Sequence, residues 1–226
     1  MYKRQTEVSL KVLPRPELER TQILSVNQSQ ALSMMSEWAS KPIPISATLW
    51  HDNQLYLRLS GAASAVNVAA ITVGGETLDN TNADALWQSV KEQQHAFFKG
   101  FITPPSESPA STNIANDIPT QQLWRVALPA NEGVFPLASI DDNHTLLEWN
   151  GTQRWLRGES SHSSLASEIV QQAKAMGGHA TLFRSHDERD NVFTDLSPTL
   201  KAIHQRLKSE FDPAHIFNRG RMYADI

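Results

Sequence analysis

Two arginines, each beside a tryptophan, are the residues whose type and position could most readily do chemistry. Arg125 follows Leu123-Trp124 in an apolar segment, and Arg154 precedes Trp155 just after an Asn-Gly pair. A guanidinium in an apolar strand either extends its charge to solvent or faces a carboxylate, which its planar fork suits well. Arg125 is therefore a candidate catalytic residue. Arg154 is a weaker candidate, for which a solvated face beside a packed ring is the simpler interpretation.

The sequence contains no phosphate-binding motif of the G-x-G-x-x-G or P-loop type and no G-x-S-x-G elbow. Its two Gly-Gly pairs, 74–75 and 177–178, follow predicted helices, so we interpret both as helix stops. The densest group of potential metal ligands has a spacing that matches no H-E-x-x-H or related set, and we predict no metal site: His179, His186, Asp187 and Asp190.

Composition indicates an ordinary globular protein. The 226 residues are 40% hydrophobic and 19% charged, enough for one large or two small domains with a sizeable core. A net charge of −4 gives no electrostatic signature for nucleic acid. The sequence has no cysteine, which excludes disulfides, thiol nucleophiles and cysteine-ligated clusters. With no secretory signal and no apolar run long enough for a membrane span, we predict a cytoplasmic protein.

The first half of the chain predicts the element order β-α-β-β-α of a ferredoxin-like unit. Before it, alternation also predicts a strand over 7–13, ended by prolines. The unit itself comprises strands over 21–26, 45–50 and 54–60, and helices over 28–40 and 62–73, with a turn at 51–53 and a longer helix over 82–98.

The second half repeats the order of hairpin, helix and Gly-Gly. Segment 103–120 holds four prolines and is predicted to be a mobile loop or insertion. Beyond it we predict strands over 122–128, 146–149, 153–157 and 179–183, with a turn at Asn150-Gly151 and a helix over 164–176. The predicted fold class is α+β, an antiparallel ferredoxin-like sheet with helices over one face.

The C-terminal segment has its own pattern. Ser197 can cap a helix whose first turn suits Pro198, and Asp212-Pro213 would end it. Aromatic residues flank the turn-forming Asn218 and Gly220 that follow, which indicates a docked tail rather than a frayed end. The predicted helix carries an apolar stripe at spacings of three and four: Leu200, Ile203, Leu207 and Phe211.

The tail carries a family resemblance. Its sequence over 211–226, FDPAHIFNRGRMYADI, resembles the end of FAD-linked oxidases of the vanillyl-alcohol-oxidase type, roughly F-D-P-x-G-x-F/L-N-P-G-R/K. The trailing Arg-Met-Tyr-Ala is similar in particular to the FAD-binding E subunit of bacterial glycolate oxidase. In the same family a stretch ISLKVLPRP, nearly identical to residues 8–16 (VSLKVLPRP), closes the FAD-binding domain. Two positions depart from the pattern, since His215 replaces the usual glycine and Arg219 the usual proline.

The resemblance implies roles for individual residues. Asn218 and the adjacent backbone would approach the flavin ring, with Arg221 and Tyr223 holding the docked segment; a purely structural tail is the alternative. Gly177-Gly178-His179-Ala180-Thr181 looks like the E-subunit version of a histidine-bearing strand in the family's cap domain. His179 is thus a second catalytic candidate, near flavin or substrate, although it could simply open a strand. The Leu-Trp-Arg at Arg125 also has a similar family counterpart.

The resemblance further implies a layout and a function. Residues 1–16 would be a remnant of the FAD-binding domain, 17–190 the cap or substrate domain, and 191–226 a helix and tail returning to the FAD domain. The chain would belong to an FAD-dependent 2-hydroxy-acid (glycolate) oxidase or dehydrogenase complex, with FAD bound mainly by a domain absent from this sequence. A catalytic flavoprotein and an iron–sulfur protein would be its partners, and any membrane association would run through them. The alternative is a non-catalytic interaction module that docks to those subunits.

Overall fold

The computed structural model describes residues 7–12, 14–99, 121–137, 140–159, 164–185 and 192–223. The chain divides into two compact units, Pro16–Asp187 on the one hand and Met1–Arg15 with Glu188–Ile226 on the other. The predicted loop over 103–120 lies outside the described residues. Within the described ranges, no helix combines the length and the apolar character needed to cross a membrane.

The larger unit is built on one antiparallel sheet. Its strands are β1 (Leu18–Ser25), β2 (Ile45–His51), β3 (Gln54–Gly61), β4 (Glu76–Leu78), β5 (Gln121–Ala127), β6 (Thr145–Glu148), β7 (Gln153–Glu159) and β8 (His179–Arg184). Its helices are α1 (Gln28–Ala39), α2 (Ala63–Val73), α3 (Asn80–Lys91) and α4 (Leu165–Ala175), with short 3-10 turns between elements. The strand order is β4-β1-β3-β2-β6-β7-β5-β8, which confirms the predicted α+β class.

The sheet consists of two half-sheets of the same topology. The order β4-β1-β3-β2 is that of a ferredoxin-like unit, and β8-β5-β7-β6 repeats it strand for strand. Helices α2 and α4 hold equivalent places, after the second hairpin strand of each half. The halves join where β2 pairs with β6, through Leu49 opposite Glu148 and Trp50 opposite Leu147. The similarity between the two halves of the sequence therefore extends to their strand order.

One face of the sheet packs under α1, α2 and α4. The Asn27 side chain accepts from the N–H of Gln30 at 2.9 Å and so caps α1, and apolar residues then recur at helical spacing. Gln22 of β1 turns to this face and donates to the carbonyl of Gly74 at 3.0 Å. The core of this layer includes Leu32, Met35, Trp38, Trp50, Leu55, Leu57, Val66, Ala70 and Leu147.

The opposite face packs under α3 and a 3-10 turn, Ala96–Phe98, so helices cover both faces of the sheet and not one face as predicted. Thr21, next to Gln22 in β1, accepts a hydrogen bond from the Trp87 indole of α3 at 2.9 Å, as strand alternation requires. Sequence periodicity predicted a single helix over 82–98. The structure starts α3 earlier because Asp79 caps it, and ends it at Lys91 before Gln93 takes a left-handed backbone with φ 56°.

The predicted strand over 7–13 is wrong for residues 7–12, which form no strand, while Leu13 lies outside the described residues. Val8, Leu10 and Val12 are 57%, 81% and 81% exposed. Alternation predicts only which side chains could share a face. A strand also needs a neighbouring strand for its backbone hydrogen bonds, and no described strand pairs with this segment. Conversely, β4 was not predicted because three residues are too few to show alternation.

The smaller unit contains helix α5 (Pro198–Phe211), which begins and ends as predicted. The Ser197 hydroxyl accepts from the N–H of Leu200 at 3.3 Å, and Pro198 occupies the first turn. The apolar stripe of this helix is substantially exposed, at 49%, 46%, 41% and 56% for Leu200, Ile203, Leu207 and Phe211.

Gly178 is a position where the backbone of β5 leaves no room for a side chain. A Cβ built there would lie 2.1 Å from the carbonyl oxygen of Ala127. Gly178→Ala should therefore lower the free energy of unfolding by about 1–3 kcal/mol, because backbone must move to admit the methyl group. Urea unfolding of the chain measures this. Gly133→Ala is the matched control, since nothing lies within 4 Å of its built Cβ; equal midpoints for the two variants would contradict the prediction.

Candidate functional site

Arg125 lies on the α3 face of the sheet, in the middle of β5. Its strand neighbours are Trp155 of β7 and Thr181 of β8. Its guanidinium carbon lies 5.8 Å from the centre of the Phe183 ring, and that of Arg184 lies 5.5 Å from the same ring. Two guanidinium groups thus share one aromatic ring that is itself 38% exposed.

Neither of these two arginines forms an ion pair with a carboxylate among the described residues. Arg184 donates through Nη2 to the side-chain oxygen of Gln93 at 2.6 Å. Its Nη1 is buried and has no hydrogen-bond partner in the described part of the chain. The guanidiniums of Arg125 and Arg184 thus carry like charges beside one ring, and Arg184 Nη1 is a buried donor without an acceptor among the described residues. A bound anion would stabilise this arrangement.

A chain of aromatic rings holds Phe183 in place. Phe183 contacts Trp155 at 4.9 Å, Trp155 contacts Phe98 at 5.4 Å and Phe98 contacts Phe97 at 5.2 Å, each edge to face. The Trp155 indole also donates to the Glu148 carboxylate at 2.6 Å. Edge-to-face contacts stabilise these rings in fixed orientations, so the two guanidiniums sit on a rigid support.

Sequence reasoning identified Arg125 and missed Arg184 and Phe183. Alternation in β8 places Thr181 and Phe183 on one face, which was the available signal. That Thr181 lies beside Arg125 depends on the β5–β8 register, which only the structure provides.

His179, the second predicted catalytic residue, opens β8 opposite Ala127 and is exposed. It lies two residues before Thr181, the strand partner of Arg125, which is a shift of about 7 Å along the same face of the strand pair. No described contact joins the His179 ring to the Arg125 guanidinium.

Arg154 is not on a solvated face, as its sequence context suggested. It points to the face opposite Trp155 and is fully buried. Its guanidinium donates to three backbone carbonyls, those of Gly151 at 3.0 Å, Gly133 at 2.5 Å and Glu132 at 2.8 Å. Burial lowers the pKa of Arg154 to about 10, so it remains charged near neutral pH. Arg154 ties the loop at 132–133 to the turn after β6.

Arg154→Met should lower the free energy of unfolding by about 2–4 kcal/mol, because three carbonyls lose their donor in a buried site. Chemical unfolding of the chain measures the change. Lys174→Met, on the exposed surface of α4, is the control and should lie within about 0.5 kcal/mol of the parent. An Arg154 variant as stable as the control would show that the loop does not depend on this side chain.

Asp212 organises the predicted tail. It and Lys208 are almost fully buried, and Lys208 Nζ lies 2.7 Å from Asp212 Oδ2. The Asp212 carboxylate accepts from the N–H groups of Ile216 and Phe217, both at 3.0 Å, while Lys208 donates to the Phe217 carbonyl at 2.5 Å. The hydrogen bond from Lys208, with these backbone N–H groups, lowers the pKa of Asp212 to about 2. The Phe-Asp-Pro segment is therefore a helix stop and also the anchor of the following turn.

The three predicted cofactor-binding residues of the tail lie beyond this anchor. Asn218 has a left-handed backbone with φ 52°, and its carbonyl accepts from the N–H of Arg221 at 3.2 Å. Tyr223 donates to the carbonyl of Thr194 at 3.4 Å. His215, at the position where glycine is usual, adopts a left-handed backbone with φ 49°. Glycine adopts the same conformation at a lower cost in free energy. Asn218 and Arg221 are both exposed.

Asp212→Asn should release the turn over 213–217, because it removes the charge that Lys208 and the backbone donors share. Amide hydrogen exchange of Ile216 and Phe217 should accelerate by about tenfold or more. Glu210→Gln, an exposed change on the same helix, should leave both rates unchanged.

In the parent chain, the stabilisation by Asp212 is fully present above its ordinary pKa of 3.8 and is lost as the pH falls towards about 2. NMR shifts of the same two amides should report that loss. Unchanged exchange in Asp212→Asn would refute the anchoring role.

The described residues offer no other cofactor or metal site of familiar type. They contain no group of three or more His, Cys, Asp or Glu side chains that could hold a metal ion. Gly74 and Gly75 follow α2 with positive φ, and a Cβ on Gly75 would lie 2.2 Å from the Ile23 carbonyl oxygen. The two glycines therefore allow the backbone to pack closely against β1. Because they follow a helix and do not begin one, their N–H groups do not form an anion-binding site at a helix N-terminus.

Comparison with known proteins identifies a relative. No family model and no solved structure matches the chain. The chain is 34% identical over 221 residues to glycolate oxidase subunit GlcE of Escherichia coli (strain K12). The match covers 98% of this chain and 53% of the relative, so the chain spans about half the length of the curated relative it matches. The resemblance seen in the tail thus extends over nearly the whole sequence, and the chain is similar to this glycolate oxidase subunit along almost all of its own length.

Proposed function

We propose that this chain is part of an FAD-dependent 2-hydroxy-acid oxidase or dehydrogenase complex whose substrate is glycolate. The observation that carries the proposal is the similarity of 98% of the chain to a protein named as a glycolate oxidase subunit. In this proposal the larger unit serves as the cap over the substrate, and residues 191–226 serve as a helix and tail that contact a flavin-binding domain.

Arg125 and Arg184 are the residues proposed to bind substrate. A 2-hydroxy acid carries one carboxylate, and that group placed between two guanidiniums would offset their repulsion and accept hydrogen bonds from both. The rigid Phe183 ring would fix the distance between the two cations. His179, exposed at the start of the same strand, is proposed to lie near the substrate or the flavin.

FAD is proposed to be held mainly outside the described residues. The glycine pairs follow helices, and Asn218 and Arg221 are exposed, so these residues alone do not form a flavin cradle. Asn218, Arg221 and Tyr223 would instead complete a site whose phosphate-binding part lies elsewhere. A bound flavin would supply the hydride acceptor, while this chain would supply orientation and electrostatics.

A second candidate function is a non-catalytic module that docks to a catalytic flavoprotein and an iron–sulfur subunit. The exposed apolar stripe of α5 favours it, because surfaces of this kind mark interfaces. The two candidates differ in whether Arg125 affects turnover.

Arg125→Met, assembled with the catalytic flavoprotein and iron–sulfur subunits, should raise KM for glycolate by about tenfold or more, because the carboxylate loses one of two charged donors. Arg125→Lys should recover part of this loss, because lysine keeps the positive charge but lacks the planar guanidinium that donates two parallel hydrogen bonds. Dye-coupled glycolate oxidation measures both, with Lys174→Met as the control. A fully assembled complex whose kcat/KM is unchanged in Arg125→Met would favour the non-catalytic module.

A further inference from the structure

Helix α3 ends in the same backbone hydrogen-bond pattern as α4 but has a different residue at the left-handed position. In α4 this residue is Gly177, with φ 73°, whose N–H donates to the carbonyl of Lys174 at 3.0 Å. In α3 it is Gln93, with φ 56°, whose N–H donates to the carbonyl of Val90, also at 3.0 Å. Helix α2 likewise ends at a glycine of positive φ, Gly74. Glutamine thus stands where the chain elsewhere uses glycine.

The backbone at this helix end does not explain the choice of glutamine. Left-handed backbone is the usual conformation just after a helix, and glycine adopts it at the lowest cost in free energy. A residue with a long side chain persists there only where its surroundings compensate for the strain. The hydrogen bonds at the end of α3 are made by backbone groups, which glycine would supply equally well. The reason for Gln93 therefore lies in its side chain.

The Gln93 side chain forms one hydrogen bond among the described residues, and its partner is Arg184. Gln93 Oε1 accepts from Arg184 Nη2 at 2.6 Å. Because a guanidinium only donates, the carboxamide oxygen and not its nitrogen must face Arg184. The guanidinium carbon also lies 5.5 Å from the centre of the Phe183 ring. The Arg184 guanidinium is thus held by α3 through Gln93 and by its own strand through Phe183.

The acceptor that Gln93 offers to Arg184 is neutral. Arginine pairs most strongly with a carboxylate, and one lies next in the sequence, on Glu92. That carboxylate is engaged elsewhere, since it accepts from Gln88 at 3.3 Å and lies 3.5 Å from the Lys91 ammonium. A carboxylate on Arg184 would offset the positive charge, whereas a carboxamide orients the guanidinium and leaves its charge available to another group.

We propose that Gln93 is a positioning residue of the substrate site, which holds Arg184 near Arg125 through a neutral acceptor and so keeps both positive charges available to one carboxylate. That this carboxylate belongs to a 2-hydroxy acid rests on the proposed function. The substrate contacts the two guanidiniums, and Gln93 acts only through Arg184. The strained backbone at Gln93 is retained because the fixed end of α3 aims its carboxamide at Arg184.

Gln93→Glu tests the proposal, because glutamate keeps the size and the acceptor of glutamine and adds a negative charge. In the complex with the catalytic flavoprotein and iron–sulfur subunits, KM for glycolate should rise about tenfold or more while kcat stays within about twofold. The reason is that the new carboxylate competes with the substrate for Arg184 in the ground state and the transition state alike. Gln94→Glu, which adds the same charge at the exposed neighbouring position, should keep the KM of the parent.

Urea unfolding of the same variants separates positioning from a structural role. Gln93→Glu should unfold at a midpoint no lower than that of the parent, because the bond to Arg184 is kept and becomes an ion pair. A purely structural role of Gln93 predicts that same midpoint with an unchanged KM. A raised KM in a variant of undiminished stability is therefore the result that supports positioning.

Four results would overturn the inference, and they differ in what they leave standing. If Arg184→Met raises KM and Gln93→Glu does not, Gln93 does not position Arg184 and the proposed function stands. If Gln93→Glu lowers the midpoint, or Gln94→Glu raises KM equally, the effect is structural or unspecific and the proposed function again stands. If both Arg184→Met and Arg125→Met leave KM unchanged, the two guanidiniums do not bind substrate. A parent complex that does not oxidise glycolate would overturn the proposed function together with the inference.

Discussion

The pairing of β2 with β6 is the contact on which the larger unit depends. Each half of the sequence forms a ferredoxin-like half-sheet with edges of its own, and two residue pairs join them into one sheet of eight strands. Thr48 and the buried guanidinium of Arg154 hold the turn that follows β6, so that the second half leaves the junction in one direction. A short junction suffices because the turn beside it is fixed by hydrogen bonds from several elements.

The continuous sheet has two faces with different chemistry. The face under α1, α2 and α4 is a conventional apolar core. On the other face, Trp155, Phe98 and Phe97 link the junction to the edge strand through edge-to-face contacts, and the ring series ends at Phe183 with two guanidiniums over it. Among the described residues, the guanidiniums of Arg125 and Arg184 lie over an aromatic ring and form no ion pair with a carboxylate, an arrangement that suits an anion.

The described part of the smaller unit is held together by a different kind of interaction. Its helix α5 leaves an apolar stripe exposed, and within the described residues a buried charge pair, Lys208 with Asp212, holds the turn that follows the helix. A buried pair of this kind fixes geometry more than it adds stability, because desolvation offsets much of its attraction. It presents Asn218 and Arg221 in a defined turn at the surface.

The sequence by itself determined what depends on residues a few positions apart. Helix caps such as Ser197, the Gly-Gly stops and the order of strands and helices follow from local hydrogen bonds and from periodicity. The tail motif also indicated the kind of protein to which nearly the whole chain is similar. Only the tertiary structure decided what depends on strand pairing between distant segments. Register placed Arg184 and Phe183 beside Arg125 and turned Arg154 inward, and residues 7–12 formed no strand because no described strand pairs with them. Alternation along a strand predicts which of its side chains share a face. Which strand lies beside it, and in which register, depends on packing between distant segments.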